Sequence, residues 1–203
     1  MPLLQASAKE LDRLTGGTIH QGVALHLPAY EYAHPDDLLI DSLDARDAPV
    51  IVALDSIQDP RNLGAIVRSA AAFGAAGVLI PERRSAGMTA GAWKTSAGAA
   101  ARIPIARATN LNRALESFHR AGFTIVGLAG EADTDIAQTM GLGDPIVLVV
   151  GSEDSGLSRL VRDNCDFLAR IPIAAAVESL NASVAASVAL YEIARFRGEI
   201  EAD

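Results

Sequence analysis

The chain has 203 residues, half of them hydrophobic but only 4% aromatic, and a formal net charge of −8. That length suits one domain plus an appendage, with a core of Ala, Val, Leu and Ile of the kind that α/β layers use. No apolar run reaches about 18 residues and no signal peptide is visible at Met1, so a cytoplasmic protein without a membrane span is expected. Cys165, the single cysteine, cannot form an intrachain disulfide. No Cys/His cluster points to zinc or another metal, and Cys165 reads as a small buried hydrophobe.

The charge is unevenly spread. Residues 1–48 hold 3 basic and 8 acidic groups, whereas residues 61–120 hold 9 basic groups against only Glu82 and Glu116. All but Lys94 of those cations are arginines, the side chain suited to phosphate and base contacts. The stretch reads as an anion or RNA surface, with Arg61, Arg68, Arg83, Arg84 and Lys94 as candidates. A set of ordinary solvated helix faces has the same composition.

Met1 to Asp47 is poorly periodic and acidic, and reads as a linker with a short ordered piece near His20 to Ala24. Pro49 to Leu54 is a buried apolar strand. Asp59 then caps a helix with Pro60 at its first position. Leu63, Ile66, Val67 and Ala70 form its apolar stripe, and the helix ends near Phe73-Gly74. Arg61, Gly64, Ala65 and Arg68 lie off that stripe, so a ligand is expected to approach the backbone at Gly64. Gly77 to Ile80 is a second strand. Gly87 to Ala101 is rich in small residues around Trp93 and Lys94, and is either a mobile loop or a loosely packed helix. A strand over Arg102 to Ala106, a helix over Leu111 to Arg120 and a strand over Thr124 to Leu128 follow.

Ile146 to Val150 is a β-branched run that stops at Gly151, and Leu157 begins a helical pattern ending at Asn164. The loop between them, Gly151-Ser152-Glu153-Asp154-Ser155-Gly156, sits where open parallel sheets hold ligands. Its glycines permit close backbone approach to such a ligand. A plain strand–helix turn with a polar cap has the same pattern. A sixth strand covers Phe167 to Ile171. Glu178 to Asn181 is turn-like, with Asn181 as an N-cap. The helix from Ala182 to Arg197 has two apolar faces, one of Ala186, Ala189, Leu190 and Ile193, the other of Val184, Val188 and Tyr191. A helix apolar on both sides needs two partners, and in a domain this small one can be a second subunit. The alternation of strand and helix predicts an α/β fold: a mainly parallel sheet with helices on both faces.

Three segments carry a resemblance. Asp55-Ser56-Ile57-Gln58-Asp59-Pro60-Arg61-Asn62-Leu63-Gly64 through Ala70 resembles the first motif of the SpoU (TrmH) family of RNA ribose 2′-O-methyltransferases. Val149 to Ser158 resembles the second, and Ile171-Pro172-Ile173 through Val177-Glu178-Ser179-Leu180-Asn181 to Ala185 the third. They occur in the family's order, and the match runs from about residue 49 to the end. Asp154 stands where Gly is commoner in the family, and Ile173 where Met is commoner. Lys94 to Pro104 and His20-Gln21-Gly22 resemble the subgroup that modifies ribosomal RNA and carries an N-terminal RNA-binding domain. Residues 1–48 are then the linker and end of such a domain, and residues 49–203 the catalytic domain.

The resemblance implies a C-terminal trefoil knot and S-adenosylmethionine as cofactor, bent among loops containing Leu128, Ala129 and Gly130, Gly151, Glu153 and Gly156, and Ile171, Ile173, Leu180 and Asn181. It implies functional roles for Asn62, Arg68, Glu153, Ser179 and Asn181, a homodimer formed through the last helix and the first-motif helix, and RNA as substrate. A guanosine of large-subunit ribosomal RNA is the expected target, with transfer RNA as the alternative. A non-catalytic RNA-binding α/β module, or a related enzyme acting on a base nitrogen, are rival readings.

Overall fold

Short β-branched runs closed by glycine, proline or polar loops build the centre of the molecule. The computed structural model describes residues 3–17, 20–26, 28–139, 141–174 and 179–199. Residues 1–31 form one compact unit and residues 32–203 another.

In the first unit, helix α1 (Ala8–Leu14) starts in a capping box. Ser7 Oγ accepts from the Glu10 backbone N–H at 3.3 Å, and the Glu10 carboxylate accepts from Ser7 N at 2.7 Å. No residue of α1 is buried. The ordered piece expected near His20 is a turn, in which His20 Nδ1 accepts from Gly22 N.

The second unit opens with α2 (Pro35–Ala45), in a segment read from the sequence as linker. Its acids conceal a narrow buried row, Leu38 with Ser42 one turn on, and Leu38 packs into the main core. Strands and helices then alternate: β1 (Val50–Leu54), α3 (Pro60–Ala72), β2 (Gly77–Pro81), α4 (Ala90–Thr95), β3 (Ile105–Ala108), α5 (Leu111–Arg120), β4 (Thr124–Leu128), β5 (Thr134–Asp135), β6 (Ile146–Val150), α6 (Arg159–Asp163), β7 (Phe167–Arg170) and α7 (Ala182–Phe196). The strands form a single seven-stranded sheet in the order β3-β2-β1-β6-β4-β7-β5, with every pairing parallel. Among the described residues, no helix is long and apolar enough to cross a membrane.

Several expectations shift. The two-residue β5 at the sheet edge is too short for any periodicity to reveal. The third strand starts at Ile105 rather than Arg102, because residues 99–101 form a 3₁₀ turn. Helix α6 begins at Arg159 rather than Leu157, since Leu157 is drawn against Gly151. The small-residue stretch after Gly87 holds α4, packed on α3, with Ala92 fully buried.

The sheet is covered on both faces. Ile51, Ala53, Val147 and Val149 point to the side of α2, α5 and α6, where they join Leu38, Leu115, Phe118 and Val161 in one core. The alternate residues Val50, Val52, Leu54, Ile146 and Leu148 are equally buried and, by the strand's period of two, face the other way. On that side lie α3 and α7, whose Leu63, Ile66, Val67, Ala186, Ala189, Leu190 and Ile193 are buried. The two helices also meet through Ser69 and Ser187, whose hydroxyls lie 2.7 Å apart. Both termini of α7 are pinned. The distal pin is Arg197, whose guanidinium donates to the carbonyls of Ala48, Leu142 and Asp144 at 2.5–2.7 Å. Burial lowers its pKa from the ordinary arginine value.

Gly64 has a different role from the one expected. It is buried under α4, and a methyl group there would collide with the Ala92 carbonyl oxygen and lie 2.8 Å from Thr95 Cβ. The neighbour at Gly64 is the chain itself, not a ligand. Replacing glycine inside a helix normally gains about 1 kcal/mol, but overpacking against backbone costs about 1–3 kcal/mol. Gly64→Ala is therefore expected to lower unfolding stability by about 1–2 kcal/mol, read as a lower denaturation midpoint in urea. A rise in the midpoint would show that α4 yields freely.

Candidate active site

Parallel strands deliver their C-terminal ends to one edge of the sheet, and where strand order reverses the loops diverge to leave a crevice. Here β1 leads outward to β2 and β3, while β6 and β4 lie on its other side. A cavity of 510 Å³ opens at the ends of β4, β6 and β7, within the size range of small-molecule sites. Leu128, Ala129 and Gly130 line it after β4, Gly151, Glu153 and Gly156 after β6, and Ile171, Ile173, Ser179 and Leu180 after β7. Val177 and Glu178 of the third motif lie outside the described residues.

The loop after β6 is a closed turn. Ser152 and Gly156 exchange backbone hydrogen bonds of 3.1 and 2.9 Å, and Gly156 takes a positive φ of 63°. A side chain at Gly151 would run into the Gly156 backbone, so this glycine serves the turn's own closure rather than the approach of a ligand. Asp154 is exposed within the closed turn and leaves both bonds intact. Buried Asp55, at the end of β1, accepts from Ser158 N at 2.6 Å and holds the far side of the loop.

This turn carries Glu153 to a junction of three segments. Its Oε1 accepts from Asn62 Nδ2 on α3 at 2.9 Å, from Asn181 Nδ2, and from Ala182 N at the start of α7 at 3.2 Å. Asn181 Nδ2 also reaches Asn62 Oδ1 at 3.1 Å. Asn181 Oδ1 accepts from the backbone of Ser183 at 2.9 Å and of Val184 at 3.4 Å, the N-cap read from the sequence. A carboxylate at this helix end also meets the positive pole of the α7 dipole. Asn62, Glu153 and Asn181 thus come together, while Ser179 sits on the cavity wall. Asn181 does not line the cavity; it joins the wall through Glu153.

Arg68 stands apart. It is exposed on α3, off the cavity lining, and among the described residues no acceptor pairs with its guanidinium. Arg61, Arg83, Arg84 and Lys94 are exposed as well. The sequence reading missed two charged wall residues, Arg162 and Arg170. Arg162 pairs with Glu131 at 2.5 Å and Arg170 with Asp135 at 2.8 Å. Glu131's own backbone amide, followed by Arg162, holds its carboxyl below the usual range. Neither pair has a spacing signal, because the partners lie on different loops. Cys165 is inert: burial pushes its thiol up to about 12, and its Sγ donates to the Val161 carbonyl. Among the described residues no group of His, Cys, Asp or Glu is placed to hold a metal.

Asn181 has two separable tasks, capping α7 and tying Asn62 to Glu153. Asn181→Ala loses both and is expected to lower stability by about 1 kcal/mol, the usual worth of an N-cap. Asn181→Asp keeps the cap acceptor but sets a second carboxylate against Glu153. It should retain the helix yet release the Asn62 side chain, read as increased exchange of the Asn62 amide protons by NMR. Equal behaviour of the two variants would mean that only the cap matters.

The chain matches the family model described as the SpoU rRNA Methylase family over residues 49–191. It is 60% identical over 195 residues to an uncharacterized tRNA/rRNA methyltransferase of Mycolicibacterium vanbaalenii, covering 96% of this chain and 62% of that relative. The chain therefore spans less than two thirds of the length of the curated relatives it matches. Among solved structures it resembles an AdoMet-bound rRNA methyltransferase of Sinorhizobium meliloti, with a TM-score of 0.76, 28% identity, and coverage of 94% of this chain and 70% of that one. It also resembles the SpoU methyltransferase AviRb of Streptomyces viridochromogenes in complex with AdoMet, with a TM-score of 0.72, 30% identity, and coverage of 79% and 65%. The motifs that meet at Glu153 thus fall inside the matched stretch, and the chain belongs to the SpoU rRNA methylase family.

Proposed function

We propose that residues 49–203 are the catalytic domain of an S-adenosylmethionine-dependent RNA ribose 2′-O-methyltransferase. The observation that carries this reading is the junction at Glu153, where one carboxylate oxygen gathers Asn62, Asn181 and the start of α7 beside the cavity. The cofactor occupies that cavity, against Leu128 to Gly130, Gly151 to Gly156, and Ile171 to Leu180. The segment after β7 passes through a trefoil knot to reach α7.

The reaction is an in-line displacement. The ribose 2′-oxygen forms a bond to the methyl carbon, the carbon–sulfur bond breaks, and its electron pair neutralises the sulfonium. The sulfonium supplies the electrophile, so the protein's task is alignment, which is worth several kcal/mol. Asn62 and Ser179 position the nucleotide by hydrogen bonds, while Glu153 and Asn181 hold Asn62 and the loop. Arg68 is always protonated, so it acts on the developing alkoxide by charge, with an RNA phosphate or water taking the proton. Arg61, Arg83, Arg84 and Lys94 contribute backbone contacts.

The substrate we assign is a guanosine of large-subunit ribosomal RNA, supported by the similarity to the Sinorhizobium meliloti rRNA methyltransferase over nearly the whole chain. Transfer RNA is the second reading, favoured by the tRNA/rRNA naming of the relatives. Mass-spectrometric mapping of methylated nucleosides in cells lacking the gene tests both. Loss of a ribose methyl in ribosomal RNA is expected, and loss of a base methyl would overturn the ribose assignment. Calorimetric titration with S-adenosylmethionine separates the enzyme from a bare RNA-binding module.

The active form is a homodimer. Val184 and Tyr191 remain 46% and 44% exposed on the outer face of α7, and Tyr191 meets Phe73 of α3 edge-on at 6.0 Å. Arg68 lies on the same helix pair, outside its own cavity lining, which fits a role at the partner's site. Val188→Asp or Val184→Asp is expected to give monomer or insoluble protein with no methyl transfer, since each buried Val is worth roughly 1.5–3 kcal/mol and is counted twice in a symmetric contact. Sedimentation equilibrium decides, and a fully active wild-type monomer would refute it. Arg68→Ala is expected to cut methylation by about 10²-fold or more while leaving cofactor affinity within about threefold. Activity within a few-fold of wild type would remove Arg68 from the mechanism.

A further inference from the structure

A second cavity, of 450 Å³, lies at the C-terminal end of edge strand β3, between the start of α2 and helix α5. The methyl transfer assigned above does not use it. Its cations come from two elements. Arg113 and Arg120 recur with Ser117 at helical spacing and so share one stripe of α5. Arg107 is supplied by β3.

Arg107 is held with unusual rigidity. Its backbone N–H donates to the Ala33 carbonyl at 3.1 Å, and Ala33 N donates back to Ile105 at 3.0 Å. This edge pairing brings Tyr32 alongside, and the guanidinium carbon lies 3.7 Å from the centre of the Tyr32 ring. Tyr32 is fixed in turn, because its hydroxyl accepts from Met88 N at 2.8 Å. A side chain at Gly87 would press on both, at 3.1 Å from the Tyr32 hydroxyl and 3.2 Å from Arg107 Nη2. The guanidinium is therefore placed but not satisfied. Its Nε is buried without an acceptor, and no acceptor for its other N–H groups is found among the described residues. A protein seldom leaves a buried donor unmade without another group to meet it.

The surroundings supply no counter-charge of equal size. Asp36 is the one carboxylate among the described lining residues, and it is exposed. His34 adds no positive charge beside it, because its Nδ1 accepts from Asp36 N at 3.2 Å. Arg120 reaches only Ser117 Oγ, at 3.4 Å. Three guanidinium groups thus face one carboxylate in a chain of net charge −8. Planar guanidinium forks match the oxygens of a phosphate.

We infer that this cavity is a binding site for a phosphodiester group of the RNA, a backbone subsite separate from the methyl-transfer centre. It rests on the reading of the chain as an RNA-modifying enzyme. Every strand pairing is parallel, so both cavities open at the same edge of the sheet. β3 stands three strand spacings from β6, or about 14 Å. A strand of RNA with one ribose at the Asn62 junction reaches the β3 cavity a few nucleotides away.

The test compares the chain carrying Arg113→Gln and Arg120→Gln with one carrying Arg159→Gln and Arg195→Gln, which removes the same charge from exposed positions elsewhere. Arginine and glutamine have similar helix propensities, so α5 is retained. Anisotropy of a labelled single-stranded RNA is read across a salt series. Calorimetry with S-adenosylmethionine checks the other cavity, and the Arg107 Nε–H signal is followed by NMR during addition of RNA or of inorganic phosphate. The expected result is an RNA affinity about 10-fold weaker in Arg113→Gln/Arg120→Gln and a salt slope smaller by about 1.4, at roughly 0.7 for each lost phosphate contact. Cofactor affinity should be unchanged, the control variant should stay within about twofold of wild type, and RNA should move the Arg107 signal. Equal RNA affinity and slope in the two variants, or no RNA binding by the wild type, would overturn the subsite. So would an Arg107 signal moved by inorganic phosphate and not by RNA, which marks a small-anion site. A methyl mapped to a base would overturn the ribose chemistry alone, and lost RNA affinity in Arg113→Gln/Arg120→Gln would still support the subsite.

Discussion

One carboxylate oxygen organises the ligand edge of this domain. Glu153 Oε1 accepts from a side chain of α3, from the cap residue of α7 and from the first amide of α7. Each bond is individually modest, about 0.5–1.5 kcal/mol, because the cluster is open to water. Their value is geometric, since they fix three chain segments in one frame. The opposite end of α7 is fixed by Arg197, whose donors hold the carbonyls of Ala48, Leu142 and Asp144 just before β1 and β6. The helix is thereby tied to both edges of the same two strands. Its start can shift only if the loop after β6 shifts with it.

Much of the sheet is legible in the sequence, and the reasons are local. Val50–Leu54 and Ile146–Val150 are continuous apolar runs because buried parallel strands need no polar face. Asp59-Pro60 announces α3, and Asn181 announces α7, because capping is a property of adjacent residues. Helix α2 is hidden for the opposite reason. Only Pro35, Leu38 and Ser42 of its eleven residues are buried, so Asp36, Asp37, Asp41 and Asp44 dominate its composition.

The site is legible in a different way. Its residue types follow from motif resemblance, but their contacts do not. Asn62 and Asn181 meet across 119 residues and Asn62 and Glu153 across 91, distances over which no periodicity carries information. The glycines show the same limit. Gly64 and Gly151 read from sequence as places for a ligand to approach, yet each is required by another part of the chain, the Ala92 carbonyl and the Gly156 backbone respectively. A glycine in a sequence reports that something comes close; only the fold says what.

The arginines divide by what restrains them. Arg162, Arg170 and Arg197 are engaged by carboxylates or carbonyls, and their energy is already committed to holding loops and termini. Arg68 and Arg107 have no such partner among the described residues, and they arrive at that state by different routes. Arg68 is exposed, so water satisfies it at little cost and its orientation is free to be set by whatever binds. Arg107 has a buried Nε without an acceptor and is stacked on Tyr32, so its orientation is set in advance and any anion that meets it loses little freedom of the receptor. The overall acidity of the chain sharpens this distinction. Repulsion from the surrounding carboxylates weakens diffuse attraction of polyanions, which leaves local, preorganised arginine sites to determine where along the sheet edge a phosphate settles.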